Sequence, residues 1–171
     1  MRALCLLPVA LLGLAGAASA ENKFAPNNDP MTDAVGGDAI LNTDGTIMTG
    51  VSCVPDAKSH VDVQFASRES LGYTFNQAGS AKVRIDGGAP FVLVGGYGGN
   101  GFMIETHAKP NSPGGHFIEQ IRIAKHVVVQ LTKIDGETLT DEFDLGDARE
   151  KIDQAVALCH DPQWAKAINT Q

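Results

Sequence analysis

Alternation of apolar and polar residues dominates the middle of the chain. From His60 to Ala66, Val61, Val63 and Phe65 alternate with Asp62 and Gln64, the period of two expected when one strand face is buried and the other wet. Thr46 to Cys53 places Ile47, Val51 and Cys53 on one face, and Leu71, Tyr73 and Phe75 repeat the rhythm. Ala81, Val83 and Ile85 alternate with Lys82, Arg84 and Asp86 ahead of a Gly87-Gly88 turn. Phe91 to Val94 is a continuous apolar run, which predicts a strand covered on both faces. Gly101 to Thr106 predicts another, with Phe102 and Ile104 inward, and Val127 to Leu131 is β-branched. Asp135-Gly136 signals a hairpin whose returning strand is Thr138 to Phe143.

Two segments break this period. Phe117, Ile121, Ala124 and Val128 fit helical spacing, although Phe117, Ile121 and Ile123 against Glu119 and Arg122 also read as a strand; the short helix is preferred. Farther on, Ile152, Ala155, Val156 and Cys159 make one helical stripe, with Asp147 as a cap and Glu150 three residues later. The pattern predicts a β-rich α+β fold, an antiparallel sandwich or strongly curved sheet closed by a C-terminal helix. Its single domain is expected over residues 39–160. Residues 21–38, rich in Asn, Asp, Pro and Gly, read as a flexible arm, Ala108 to Gly115 as a loop, and residues 161–171 as a tail whose Trp164 packs over an edge of the core.

The beginning of the chain predicts export. Arg2 precedes an apolar run from Ala3 to Ala18, and the segment ends on Ala18-Ser19-Ala20, the small-x-small pattern of a signal-peptidase site. Residues 1–20 are therefore read as a signal peptide, shorter in its apolar run than the roughly 20 residues needed to span a bilayer. No later stretch has spanning length, so the mature chain is expected in the periplasm or outside the cell of a bacterium. Acidic side chains outnumber basic ones 20 to 13, and the basic residues are scattered, which argues against nucleic acid as a partner. Once Cys5 leaves with the leader, Cys53 and Cys159 remain. In an oxidising compartment such a pair is expected to form a disulfide. Cys159 on the helical stripe and Cys53 on the inner strand face would staple helix to sheet.

Three segments suggest a family. VRIDG (Val83 to Gly87), Phe117 to Leu131, and FDLGDAREKIDQAVALC (Phe143 to Cys159) together resemble small secreted bacterial proteins with an invasion-associated-locus-B-like domain. The resemblance implies an exported β-rich protein with disulfide-bonded cysteines, and most such proteins have no known biochemical activity. The chain departs from the pattern where those proteins often carry additional cysteines and an aromatic before the first strand's cysteine; Met48 to Ser52 supplies none.

Candidate chemistry is sparse. Gly96-Tyr97-Gly98-Gly99-Asn100-Gly101 spells G-x-G-x-x-G after a strand, yet Phe102 to Thr106 looks like a strand where a dinucleotide fingerprint needs a helix. It reads as a glycine-rich hairpin, with no cofactor implied and with Tyr97 and Asn100 as candidate partner contacts. Histidines 60, 107, 116, 126 and 160 raise the question of a metal. His107 and His116 flank the Ala108 to Gly115 loop and could be brought together, but neither has close ligand spacing and the cysteines are committed to the disulfide. They are read as exposed loop histidines available for partner contact, and no metal is assigned. No G-x-S-x-G or H-E-x-x-H occurs. The chain is thus expected to be a non-enzymatic exported protein that binds an envelope or extracellular protein or polymer. The alternatives are a small secreted hydrolase of such a polymer and a structural envelope component.

Overall fold

The structure, a computed structural model, describes residues 21–28, 30–31, 33–55, 60–74, 77–98 and 103–169. The leader lies outside them, as do Phe75, Asn100 and Phe102. Among the described residues the elements run β1 (Lys23–Asn28), β2 (Val35–Leu41), β3 (Ile47–Val54), β4 (His60–Ser67), β5 (Ala78–Ile85), β6 (Phe91–Gly98), β7 (Met103–Ala108), α1 (Pro113–Ile121), β8 (His126–Thr132), β9 (Thr138–Asp144), α2 (Ala148–Ala157) and α3 (Pro162–Asn169). The strands form one antiparallel sheet in the order β1-β2-β3-β4-β7-β6-β5-β8-β9. The expected β-rich α+β class is present, in its curved-sheet form.

The curl brings the first strand back to the last. Asn22, at the entry to β1, donates through Nδ2 to the Leu145 carbonyl at 2.7 Å and to Asp147 Oδ1 at 3.0 Å, both just beyond β9. Asp141 of β9 accepts from the Ile47 backbone N–H at 2.9 Å and from Asn42 Nδ2 at 3.1 Å through one oxygen, Oδ2. Asn42 also donates to the Ile47 carbonyl, and its positive φ of 60° is one that asparagine tolerates well. These side chains form a clasp where, among the described residues, no backbone ladder joins β1 to β9. Replacing Asp141 with alanine leaves the Ile47 N–H unmet and removes one of the two acceptors of the Asn42 amide, and the expected loss is about 1–3 kcal/mol by urea denaturation. Asp141→Asn, which keeps one acceptor oxygen, should lose less.

The inner faces follow the alternation of the sequence. Ile47, Val51 and Cys53, then Val61, Val63 and Phe65, then Ala81 and Val83, then Val127, Val129 and Leu131 are all buried. α1 fills this concavity with Phe117, Ile118 and Ile121, the Phe117 ring lying 5.7 Å from Phe65 and 6.4 Å from Phe91. α2 lies across β1, β2 and β3 and buries Ile152, Ala155 and Val156. Cys53 and Cys159 are joined, with Cα atoms 5.4 Å apart, inside the range disulfides adopt. The helix is therefore stapled to β3, as the two periodicities imply.

Several boundaries differ from the sequence reading. The expected arm, residues 21–38, contains β1 and the start of β2; β1 is polar and is held by its ladder, with Phe24 against Gly37. Leu71 and Tyr73 are not in a strand, although Leu71 is fully buried. Val92 and Val94 are not covered: they stand 53% and 64% exposed on the outer face of β6, where no element among the described residues packs. The Ala108 to Gly115 loop is shorter than expected. Ser112 accepts the Gly115 N–H on its hydroxyl and Pro113 opens α1, an arrangement that turns apparent breakers into a helix start. Gly115 is required there, since a Cβ would strike the Lys109 carbonyl. The helix ends at Ile121, so Val128 belongs to β8.

Asp147 occupies the N-cap position of α2 but makes no side-chain capping bond. Its carboxylate serves the clasp, and the Asn22 amide, with Lys151 adding attraction, holds it below the usual carboxylate range. The tail is mostly α3, whose Trp164 is buried at the core's edge as expected.

Candidate functional site

The strand register assembles a polar row on the outer face. Asp38 of β2 stands opposite Ser52 of β3, Ser52 opposite Asp62 of β4, and Asp62 opposite His107 of β7. His60 shares the face because it lies two residues before Asp62 on the same strand. The next row, Ile40, Gly50 and Gln64, has no side chain at its centre. Missing volume at Gly50 leaves a hollow of about 170 Å³, walled by Ile40, Met48 and Ala66 and edged by Asp38, Ser52 and Gln64.

At the end of the polar row three side chains converge. His107 Nδ1 lies 2.7 Å from Asp62 Oδ1 and His60 Nε2 lies 3.5 Å from Asp62 Oδ2. The two imidazole rings meet edge to face at 4.6 Å. Asp62 is almost fully enclosed, its side chain 6% exposed, whereas His60 is 30% and His107 73% exposed. Burying a carboxylate is costly unless it is paired, and the imidazoles supply that pairing. Ser52, the cross-strand neighbour on the other side, has a buried hydroxyl without a hydrogen-bond partner among the described residues.

This order limits the chemistry. A serine nucleophile needs its base within hydrogen-bond reach. Here Asp62 separates Ser52 from His107 by two strand spacings, on the order of 9–10 Å, so the row is not a Ser-His relay. What it can do is orient an exposed imidazole or hold a cation between its nitrogens and the carboxylate.

The residues expected to contact a partner fall in different places. Tyr97 is buried, stacked 4.2 Å from Tyr73 and packed on Gly79, so it is a core residue and not a surface contact. Its inward position on β6 follows from the strand's period, which the glycine spelling masks. Burial, together with the adjoining Tyr73 phenol, pushes its hydroxyl well above the usual tyrosine range. Asn100 lies outside the described residues. The strand β7, not a helix, follows the glycine-rich segment. His107 and His116 are both exposed but join different groups: His116 sits on α1 beside Gln120, at 2.9 Å, and Glu119, at 3.8 Å.

Sequence reasoning does not pair His60 with Asp62, though a His-x-Asp on the polar face of a strand is the available signal. Comparison with protein-family models, with curated proteins and with solved structures finds no match to this chain.

Proposed function

We propose that this is an exported, non-enzymatic protein that binds an envelope or extracellular protein through the outer face of β2, β3 and β4. The observation that carries the reading is the hollow over Gly50. At about 170 Å³ it is smaller than the roughly 300–1,000 Å³ of small-molecule sites, and it suits one inserted side chain. Its apolar walls with Asp38 at the rim favour a lysine or arginine, whose stem would lie on Ile40 and Met48 while its charge meets the carboxylate. The net charge of −7 favours such a partner at longer range.

Export is supported by the signal-like leader and by the disulfide. Among the described residues no helix is long and apolar enough to cross a membrane. The likeness of Val83 to Gly87 and Phe143 to Cys159 to secreted invasion-associated-locus-B-like proteins points to export as well.

A leucine in place of Gly50 tests the proposal. A Cβ there meets Gln64 Cβ at 3.4 Å, Gln64 Oε1 at 3.7 Å and the Ala39 carbonyl oxygen at 3.9 Å, all ordinary contacts, so Gly50→Leu fills the hollow without touching the core. Tagged wild type recovered from its native envelope and medium should carry a stoichiometric protein. The Gly50→Leu variant, with its melting temperature within a few degrees of wild type, should come back without it. Equal recovery by both would sink the assignment of this face.

A further inference from the structure

We propose that His60, Asp62 and His107 form a site for one late first-row transition-metal ion, Zn²⁺ being the simplest case. The ligand atoms of these three side chains lie within 4.8 Å of one another. Tetrahedral coordination with bonds of about 2.0–2.1 Å puts ligand atoms roughly 3.3 Å apart. His60 Nε2 stands 3.5 Å from Asp62 Oδ2, close to this spacing, whereas His107 Nδ1 meets the other carboxylate oxygen, Oδ1. The 2.7 Å between His107 and Asp62 must open slightly, which the exposed His107 ring can do by rotation.

The sheet explains why the set is prearranged. Residues two apart on β4 share a face, and His107 is held opposite Asp62 by the β4–β7 ladder. The start of β4 is further fixed by the disulfide, since Cys159 Sγ lies 3.3 Å from the His60 carbonyl oxygen. The carboxylate sits at the bottom of the site and the imidazoles stand over it, so an ion would gain its charge partner where water is scarce.

Donor type sets the class of ion. Two imidazole nitrogens and one carboxylate suit zinc, copper, nickel or cobalt, whereas calcium takes six to eight oxygens and magnesium an octahedral oxygen shell. Three protein ligands on an open face leave a coordination position for water or for a donor atom from another molecule. The site lies at the end of the polar row that borders the Gly50 hollow, yet its occupancy does not depend on what fills that hollow.

Titration of the purified, disulfide-bonded protein tests the proposal without any partner. Calorimetry with Zn²⁺ and absorption spectroscopy with Co²⁺ should give one equivalent, with weak binding of Ca²⁺ and Mg²⁺. His107→Ala, compared once its circular dichroism shows it folded because it also removes a partner of the buried Asp62 carboxylate, should weaken Zn²⁺ binding by at least about tenfold, since loss of even an outer-sphere partner typically costs 10–100-fold. His116→Ala, which removes an equally exposed imidazole outside the set, should bind as wild type does. Full binding by the His107→Ala variant, or no binding by wild type at high micromolar metal, would overturn the proposal. Because the Gly50→Leu protein retains all three ligands, it should still bind Zn²⁺ even if it has lost its partner.

Discussion

Arg122→Ala should lower stability by about 3 kcal/mol, toward the low end of what breaking a buried ion pair costs. Arg122 closes α1, and its side chain is 2% exposed. The guanidinium grips Asp153 of α2 with two bonds, Nε to Oδ1 at 2.6 Å and Nη2 to Oδ2 at 3.2 Å, and donates to the Ile168 carbonyl of α3 at 3.5 Å. One side chain thus ties all three helices together. Removing it strands a partly buried carboxylate; the loss is tempered because Asp153 is 31% exposed and keeps Arg149 at 3.8 Å. For a domain of this size the change corresponds to roughly 10 °C in melting temperature. Arg122→Lys should recover only part of it, because an ammonium cannot reproduce the two-pronged geometry. Thermal melts of the three proteins in one buffer decide the matter, and equal stability of the alanine variant and wild type would refute the tie.

Loss of the disulfide should cost about 3–5 kcal/mol. Cys53 and Cys159 are separated by 106 residues, and in the chain-entropy model closing a loop of about 100 residues is worth roughly 4.7 kcal/mol, with native disulfides commonly yielding 2–5. β4 to β9, six of the nine strands, lie inside that loop, so the cross-link restrains the unfolded chain over more than half of its length. The Cys53→Ala/Cys159→Ala protein should show a correspondingly lower urea midpoint, and wild type in reductant should move close to it. If reduced wild type stayed at the oxidised midpoint, the bond would contribute nothing to stability. The double variant should also weaken Zn²⁺ binding moderately, since the staple steadies the start of β4.

Local periods make much of this fold readable. The faces of β4, β5 and β8 and the buried stripe of α2 need only alternation and helical spacing, and the cysteine pairing follows from the two together. Features that depend on distant neighbours are not readable. β1 has little apolar character and is a strand because β2 offers it a ladder. Val92 and Val94 look like core but face outward, since hydrophobicity does not say which side of a sheet will be covered. Helical spacing finds α1 but misplaces its ends, because its start depends on a close approach between Gly115 and the Lys109 carbonyl. The candidate metal set is hidden for a topological reason: β4 pairs with β7, three strands later in the chain, which puts His107 against Asp62 across 45 residues. Sequence spacing instead draws attention to His116, nearer along the chain but part of another cluster.

The clasp of Asn22, Asn42 and Asp141 has a consequence for how the protein behaves in a crowd. It draws the ends of the sheet together with side chains, so among the described residues β1 and β9 remain rims with unpaired backbone groups that another chain could extend. β1 answers with Pro26, which has no N–H to offer, and with exposed Asn27 and Asn28. β9 turns Thr138, Thr140, Glu142 and Asp144 to the solvent. Polar rims interrupted by proline are poor templates for strand addition, so the curled ribbon can stay open along its seam without seeding fibres of itself.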